Sequence, residues 1–150
     1  MRRDTTDYVG EMLTKTRALL AREFEGAVVY AGDPERVPAF GEGGTFGVEV
    51  ASSAVEATAA DYGRVVVALR VWTYVAGDGP AAEKEVAALA QRLEAALFAA
   101  GLPSARAGAL GLETEYLRTD YLTREKGRAF RRRRVRAART EWRVRLAARR

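Results

Sequence analysis

The densest chemistry in the sequence is a cluster of guanidinium groups: Arg131, Arg132, Arg133 and Arg134, followed by Arg136 and Arg139. Guanidinium pairs bidentately with phosphate and with carboxylate. A row of such groups therefore points to an anionic partner, either a nucleic-acid backbone held with a steep salt dependence or the carboxylates of a neighbouring subunit. In a strand these side chains would go to both faces, so at least one face would present a positive row. Phe130 and Trp142 are the nearby aromatics that could stack on a base, and no recognised nucleic-acid motif surrounds the run, so generic contact is expected rather than sequence readout. The charge is unevenly placed: residues 118–150 hold 14 basic and 3 acidic side chains, net +11, whereas residues 1–117 hold 11 and 17, net −6. A mildly acidic body carries a strongly basic last fifth, which suits an anionic partner; a solvated Arg-rich face is the plain alternative.

Other chemistry is sparse. The chain has no His and no Cys, which removes the usual general base, thiolate zinc sites, cysteine nucleophiles and disulfides. Carboxylates remain. Asp61 and Asp78 flank the central strand on loops, and Glu113 and Glu115 lie on another strand, but loop Asp residues ordinarily form turns through their own backbone. Gly41-Glu42-Gly43-Gly44 is rich in glycine, yet it precedes a strand and lacks the Gly-Lys-Ser/Thr ending of a phosphate loop, so it reads as a flexible loop. No enzyme activity, metal or cofactor is expected.

With 150 residues, 48% hydrophobic and 30% charged, the chain suits one folded domain. No stretch approaches the roughly 20 apolar residues of a membrane span, and the first residues do not read as a signal peptide. A protein made in the cytoplasm, without a membrane partner, is expected.

The elements follow from periodicity. Val9, Met12, Leu13, Thr16, Leu19 and Leu20 share a face of a helix over about Thr6–Glu23, with Thr6 or Asp7 as N-cap and Gly26 as a stop. Ala27–Tyr30 is a short β run. Thr45–Ser53 alternates, with Phe46, Val48 and Val50 on one side, and an extension through Val55 and Ala57 stays open. Arg64–Ala76 is the clearest strand: Val65, Val67, Leu69, Val71, Thr73 and Val75 take one face, and Val66, Ala68, Arg70, Trp72 and Tyr74 the other. Both faces are apolar enough to need covering. For Trp72 and Tyr74 the cover is either another subunit or the second helix. That helix spans about Ala81–Ala100, with a stripe of Val86, Leu89, Ala90, Leu93, Leu97 and Ala100. Leu110–Tyr121 reads as a strand with Leu112, Thr114, Tyr116 and Arg118 on one side, followed by a polar loop at Thr123–Gly127. Arg128–Leu146 fits a strand or a helix; Trp142-x-Val144-x-Leu146 favours a strand over Thr140–Leu146. The sum is an α+β fold: an antiparallel β-sheet of about five strands with two α-helices packed on one face, in the order α-β-β-β-α-β-β.

This arrangement resembles the tail terminator (tail-completion) proteins of long-tailed bacteriophages. The resemblance is carried by the opening helix, by Ala27-Val28-Val29-Tyr30-Ala31-Gly32-Asp33-Pro34, by the long two-strand stretch through Arg64–Trp72, by the Ala-rich helix ending Ala99-Ala100-Gly101-Leu102, and by Glu141-Trp142-Arg143-Val144-Arg145-Leu146. It spans nearly the whole chain, so 1–150 would be one tail-terminator-like domain with the basic segment 118–150. It implies a structural virion protein at the head–tail junction. Copies would form a ring, commonly of six, that caps the tail tube protein, ends tube growth and meets the head–tail connector protein. DNA would pass through the lumen without sequence-specific binding. Arg70, Trp72, Tyr74 and Trp142 are then candidates for the subunit or tube interface, and Arg131, Arg132, Arg133, Arg134, Arg136 and Arg139 for anionic contacts. A head–tail connector or adaptor, and a basic nucleic-acid-binding module, are the alternatives.

Overall fold

The computed structural model describes residues 8–34, 39–57, 62–77, 79–100, 112–126 and 133–149. Two helices and five strands appear in the expected order: α1 (Tyr8–Glu23), β1 (Val28–Ala31), β2 (Thr45–Ala57), β3 (Tyr62–Ala76), α2 (Pro80–Ala100), β4 (Leu112–Lys126) and β5 (Arg133–Arg149). The sheet order is β1-β2-β3-β5-β4. The sheet is mixed rather than antiparallel throughout, because β1 runs parallel to β2 while the other pairs are antiparallel. β1 and β2 pair start to start, Val28 with Thr45, so the chain crosses back to the end where β1 began before starting β2.

The last strand departs most from the sequence expectation. β5 is a strand along its whole length, and the helical alternative fails. The strand sits between β3 and β4 and pairs with both, so its backbone donors and acceptors are met on each side. No helix could use both partners. β4 likewise runs on through Lys126, so Thr123–Lys126 is strand rather than loop, held against Arg133–Arg136 of β5.

Both helices lie on one sheet face, as expected. α1 packs on β1 and β2, and α2 on β3 and β5. The main core joins Met12, Leu19, Leu20 and Phe24 to Phe46, Val48, Val67, Leu69, Val71, Leu93, Leu97, Trp142 and Val144. Apart from Phe24, which follows the end of α1, these come from the helical stripe or the strand phase that periodicity assigns to them. Thr16 is tolerated in this core because its Oγ1 donates to Met12 O at 2.7 Å. A second group, Val75, Ala82, Val86, Ala90 and Ala138, seats the first half of α2.

The glycine-rich loop is wedged in place and is not a loose connector. Val28 N donates to Gly44 O, Gly43 N to Gly26 O, and Gly41 N to Thr45 Oγ1. A Cβ on Gly43 would lie 1.9 Å from the carbonyl oxygen of Glu25. Only a bare backbone fits where this loop crosses the turn that leaves α1. Gly43→Ala is expected to cost about 2 kcal/mol or more, whereas Gly79→Ala, which meets nothing within 4 Å, should be nearly neutral; thermal melts of the two variants check this.

Candidate functional site

Two surfaces of the described structure are candidates for an interaction site. The first is the open face of the sheet, opposite the helices. Trp72 and Tyr74 point there from β3, but they are 4% and 1% exposed. Their cover is neither the second helix nor another subunit. Tyr30, Phe40, Leu122, Val135 and Ala137 pack around them. The Tyr30 hydroxyl donates to Ala39 O and accepts from Ala39 N, which pins the covering loop. Arg139 lies over the Trp72 ring, with its guanidinium carbon 5.6 Å from the centroid. The polar atoms are also met within the chain: Trp72 Nε1 donates to Glu49 Oε1 at 2.7 Å, and the Tyr74 hydroxyl to Asp33 Oδ1.

Across the rest of this face runs a lattice of ion pairs that links four strands. Arg70 Nε donates to Glu141 Oε1 at 3.1 Å, and its Nη1 lies 4.0 Å from Glu49. Glu141 also faces Arg118 at 3.4 Å and Arg139 at 3.3 Å. Asp120 is shared by Arg118 at 3.1 Å and Arg139 at 3.0 Å. Glu115 and Arg143 form a more exposed pair at 3.2 Å. Four arginines thus meet four carboxylates. The lattice depends on a bulge in β4 at Tyr116/Arg118. By simple alternation Arg118 would share a face with Tyr116; the extra residue, Leu117, shifts the phase and sends Arg118 to the open face beside Glu141. The hydrogen bond from Arg139, with the charge of Arg118 beside it, holds the Asp120 carboxyl below its ordinary value.

The anionic-contact candidates divide. Arg139 is spent on Asp120, Glu141 and Trp72. Arg136, on the helix side, lies 3.4 Å from Glu83 of α2. Arg134 is exposed, Arg133 opens β5, and Arg131 and Arg132 lie outside the described residues, as do Asp61 and Asp78. An interior strand sends alternate arginines to two faces, where carboxylates of its neighbours are waiting.

The second surface was not singled out by sequence. On the helix side, Trp142 is buried beneath Phe98 and Tyr116, with edge-on ring centroids at 4.9 and 5.3 Å. Phe98, however, is 60% exposed, and Tyr121, further along β4, is 53% exposed. Tyr116 and Leu117 are also exposed. Thr119 donates to Glu94 of α2 and so accepts from the Tyr116 hydroxyl. Beside Tyr121 an open groove of about 260 Å³ separates α2 from β4, lined by Val86, Ala87, Leu122 and Ala137 and by the Glu83–Arg136 ion pair. Burial, with the Glu94 charge beside it, raises the Tyr121 phenol above its usual value. The signal in the sequence was Phe98, which stands off the apolar stripe of its helix. Among the described residues no group of three or more His, Cys, Asp or Glu is placed to hold a metal ion.

No protein-family model matches the chain, and no curated protein does. Among solved structures the chain is similar to a chain from the virion of a native gene transfer agent (GTA) particle, with 20% identity over 93% of this chain and 92% of that one, and a TM-score of 0.44.

Glu141 is the shared acceptor of the lattice, so Glu141→Gln should destabilise the chain by about 1–3 kcal/mol, while Glu115→Gln at the exposed pair should cost about 0.5 kcal/mol or less; urea denaturation compares them. Asp120 titrates lower in the folded chain than in the unfolded one. Its contribution is therefore present above the ordinary value of 3.8 and is lost as pH falls through the depressed folded value. Asp120→Asn should flatten that part of the stability–pH curve.

Proposed function

We propose that this chain is a structural virion protein, a tail-terminator subunit. Copies form a ring, six in the simplest case, on the last ring of the tail tube protein. The ring ends tube growth and offers its other side to the head–tail connector protein. The genome would pass through the lumen without sequence-specific contact. In this reading the protein is made in the host cytoplasm and resides at the head–tail junction, with no catalytic role and no cofactor.

The observation that carries the reading is the uncovered helix-side face of β4. Among the described residues the exposed large hydrophobic side chains are Phe98, Tyr116, Leu117 and Tyr121, all on β4 or on the flank of α2 beside it. A contiguous aromatic patch of this kind marks an interaction surface. The two edges of the sheet also differ: β4 ends one side as a 15-residue strand, and β1 ends the other as a 4-residue strand. An association through unlike edges is head to tail, and head-to-tail contacts close into rings when the rotation permits. The element order behind the sequence resemblance is the order observed.

A nucleic-acid-binding module is favoured by the net +11 of residues 118–150. Against it, Arg118, Arg136, Arg139 and Arg143 face carboxylates of their own chain. A head–tail connector would use the same surface and belongs to the same class.

Native mass spectrometry at micromolar concentration should show one closed oligomer, and duplex DNA should bind weakly at physiological salt. A monomer at every concentration, or tight duplex binding with a steep salt slope, would contradict the proposal.

A further inference from the structure

We infer that the uncovered face of β4 seats α1 of a second copy, so that the helix layer of one subunit continues into the next. The inference rests on the ring reading and names the surfaces that make its joint.

A helix with its side chains is about 10 Å across and strands lie about 4.8 Å apart, so one helix roofs about two strands. α1 roofs β1 and β2, and α2 roofs β3 and β5. The sheet has a fifth strand, and among the described residues the helix layer ends before it. Phe98, Tyr116 and Tyr121 therefore stand where a third helix would lie, and the groove between α2 and β4 opens beside Tyr121. The chain carries a helix flank suited to that place at the opposite end of the same layer. Thr14, Ala18 and Ala21 recur at helical spacing on the exposed side of α1, and with Ala27 and Val29 they line a shallow concavity of about 450 Å³ at the β1 edge. Small side chains there let the aromatic rings approach closely. The charges also complement one another. Arg17 lies in the α1–β1 concavity, and Glu94 lies beside the aromatic strip, bonded to Thr119. A guanidinium brought against tyrosine rings and a carboxylate is favourable on both counts. Because the strip and the concavity lie at opposite ends of one layer, a joined pair still has one free strip and one free concavity, on different copies, and the contact propagates head to tail.

The test uses complementary variants of the full chain. Tyr121→Glu spoils the strip and leaves the concavity intact; Ala18→Glu does the reverse. Both positions are exposed, and circular dichroism should show native folds. Phe98→Glu is less suitable because Phe98 covers Trp142; Ala21→Glu is the second variant on the α1 side. Each variant alone should need at least roughly tenfold more protein to assemble than the parent chain. Mixed in equal amounts, the two should form a dimer and stop, since one intact strip meets one intact concavity and both outer surfaces are spoiled. Sedimentation velocity reads this directly. If the parent chain assembles and either variant assembles as well as it does, or if the mixture forms no dimer, this joint is wrong while the ring reading stands. If the parent chain stays monomeric, the ring reading fails with it.

Discussion

The width of a helix against the spacing of strands is the constraint on which the rest depends. Two helices cover four strands, and this chain has five. The mismatch would be harmless if β4 were polar on the helix side. Instead it places Tyr116 and Tyr121 there, and α2 adds Phe98 from its flank. The core proper does not need them exposed: Trp142, Val144 and the residues beneath α1 and α2 are closed from water. What remains on β4 is surface that is better buried, set at the edge of the sheet where a neighbour can reach it.

The opposite face of the sheet solves a different problem. With no helix among the described residues to cover it, it keeps its large aromatic side chains, Trp72 and Tyr74, where the loop at Ala39 and Phe40 folds over them. Elsewhere it is an ion-pair lattice centred on Glu141 and Asp120. Placing β5 between β3 and β4 makes this possible. An interior strand brings its arginines within reach of carboxylates from both sides, and the β4 bulge adds Arg118 to the set. The result is a face that can remain in water, and the proposed association therefore falls to the helix side. It also changes the meaning of the arginine run. Four of its basic neighbours and members, Arg118, Arg136, Arg139 and Arg143, meet carboxylates of the chain itself.

Periodicity carried most of the fold. The alternation of Val65–Val75 and the helical stripes of α1 and α2 place their residues where they are found, because burial on one face dictates both pattern and structure. The errors have physical causes. Arg133–Arg139 suits a helix by local preference, and only pairing on both sides, which depends on sheet order, makes it strand. The phase of β4 beyond Tyr116 could not be read because a bulge is set by partner geometry. Gly41–Gly44 looked flexible because close approach to the Glu25 carbonyl is a tertiary event. Trp72 and Tyr74 were rightly seen as needing cover, but a loop distant in sequence supplies it. The exposed strip was missed because its exposure results from what the helix layer leaves bare, a property of no single segment.

The central claim is that the bare face of β4 is covered when copies associate. Hydroxyl-radical footprinting at dilute and concentrated protein measures this at the residues concerned. Oxidation of Phe98 and Tyr121 should fall as concentration rises, while that of exposed side chains away from both layer ends stays constant. Oxidation of Phe98 and Tyr121 that does not change with concentration, in a sample that has assembled, would contradict the account.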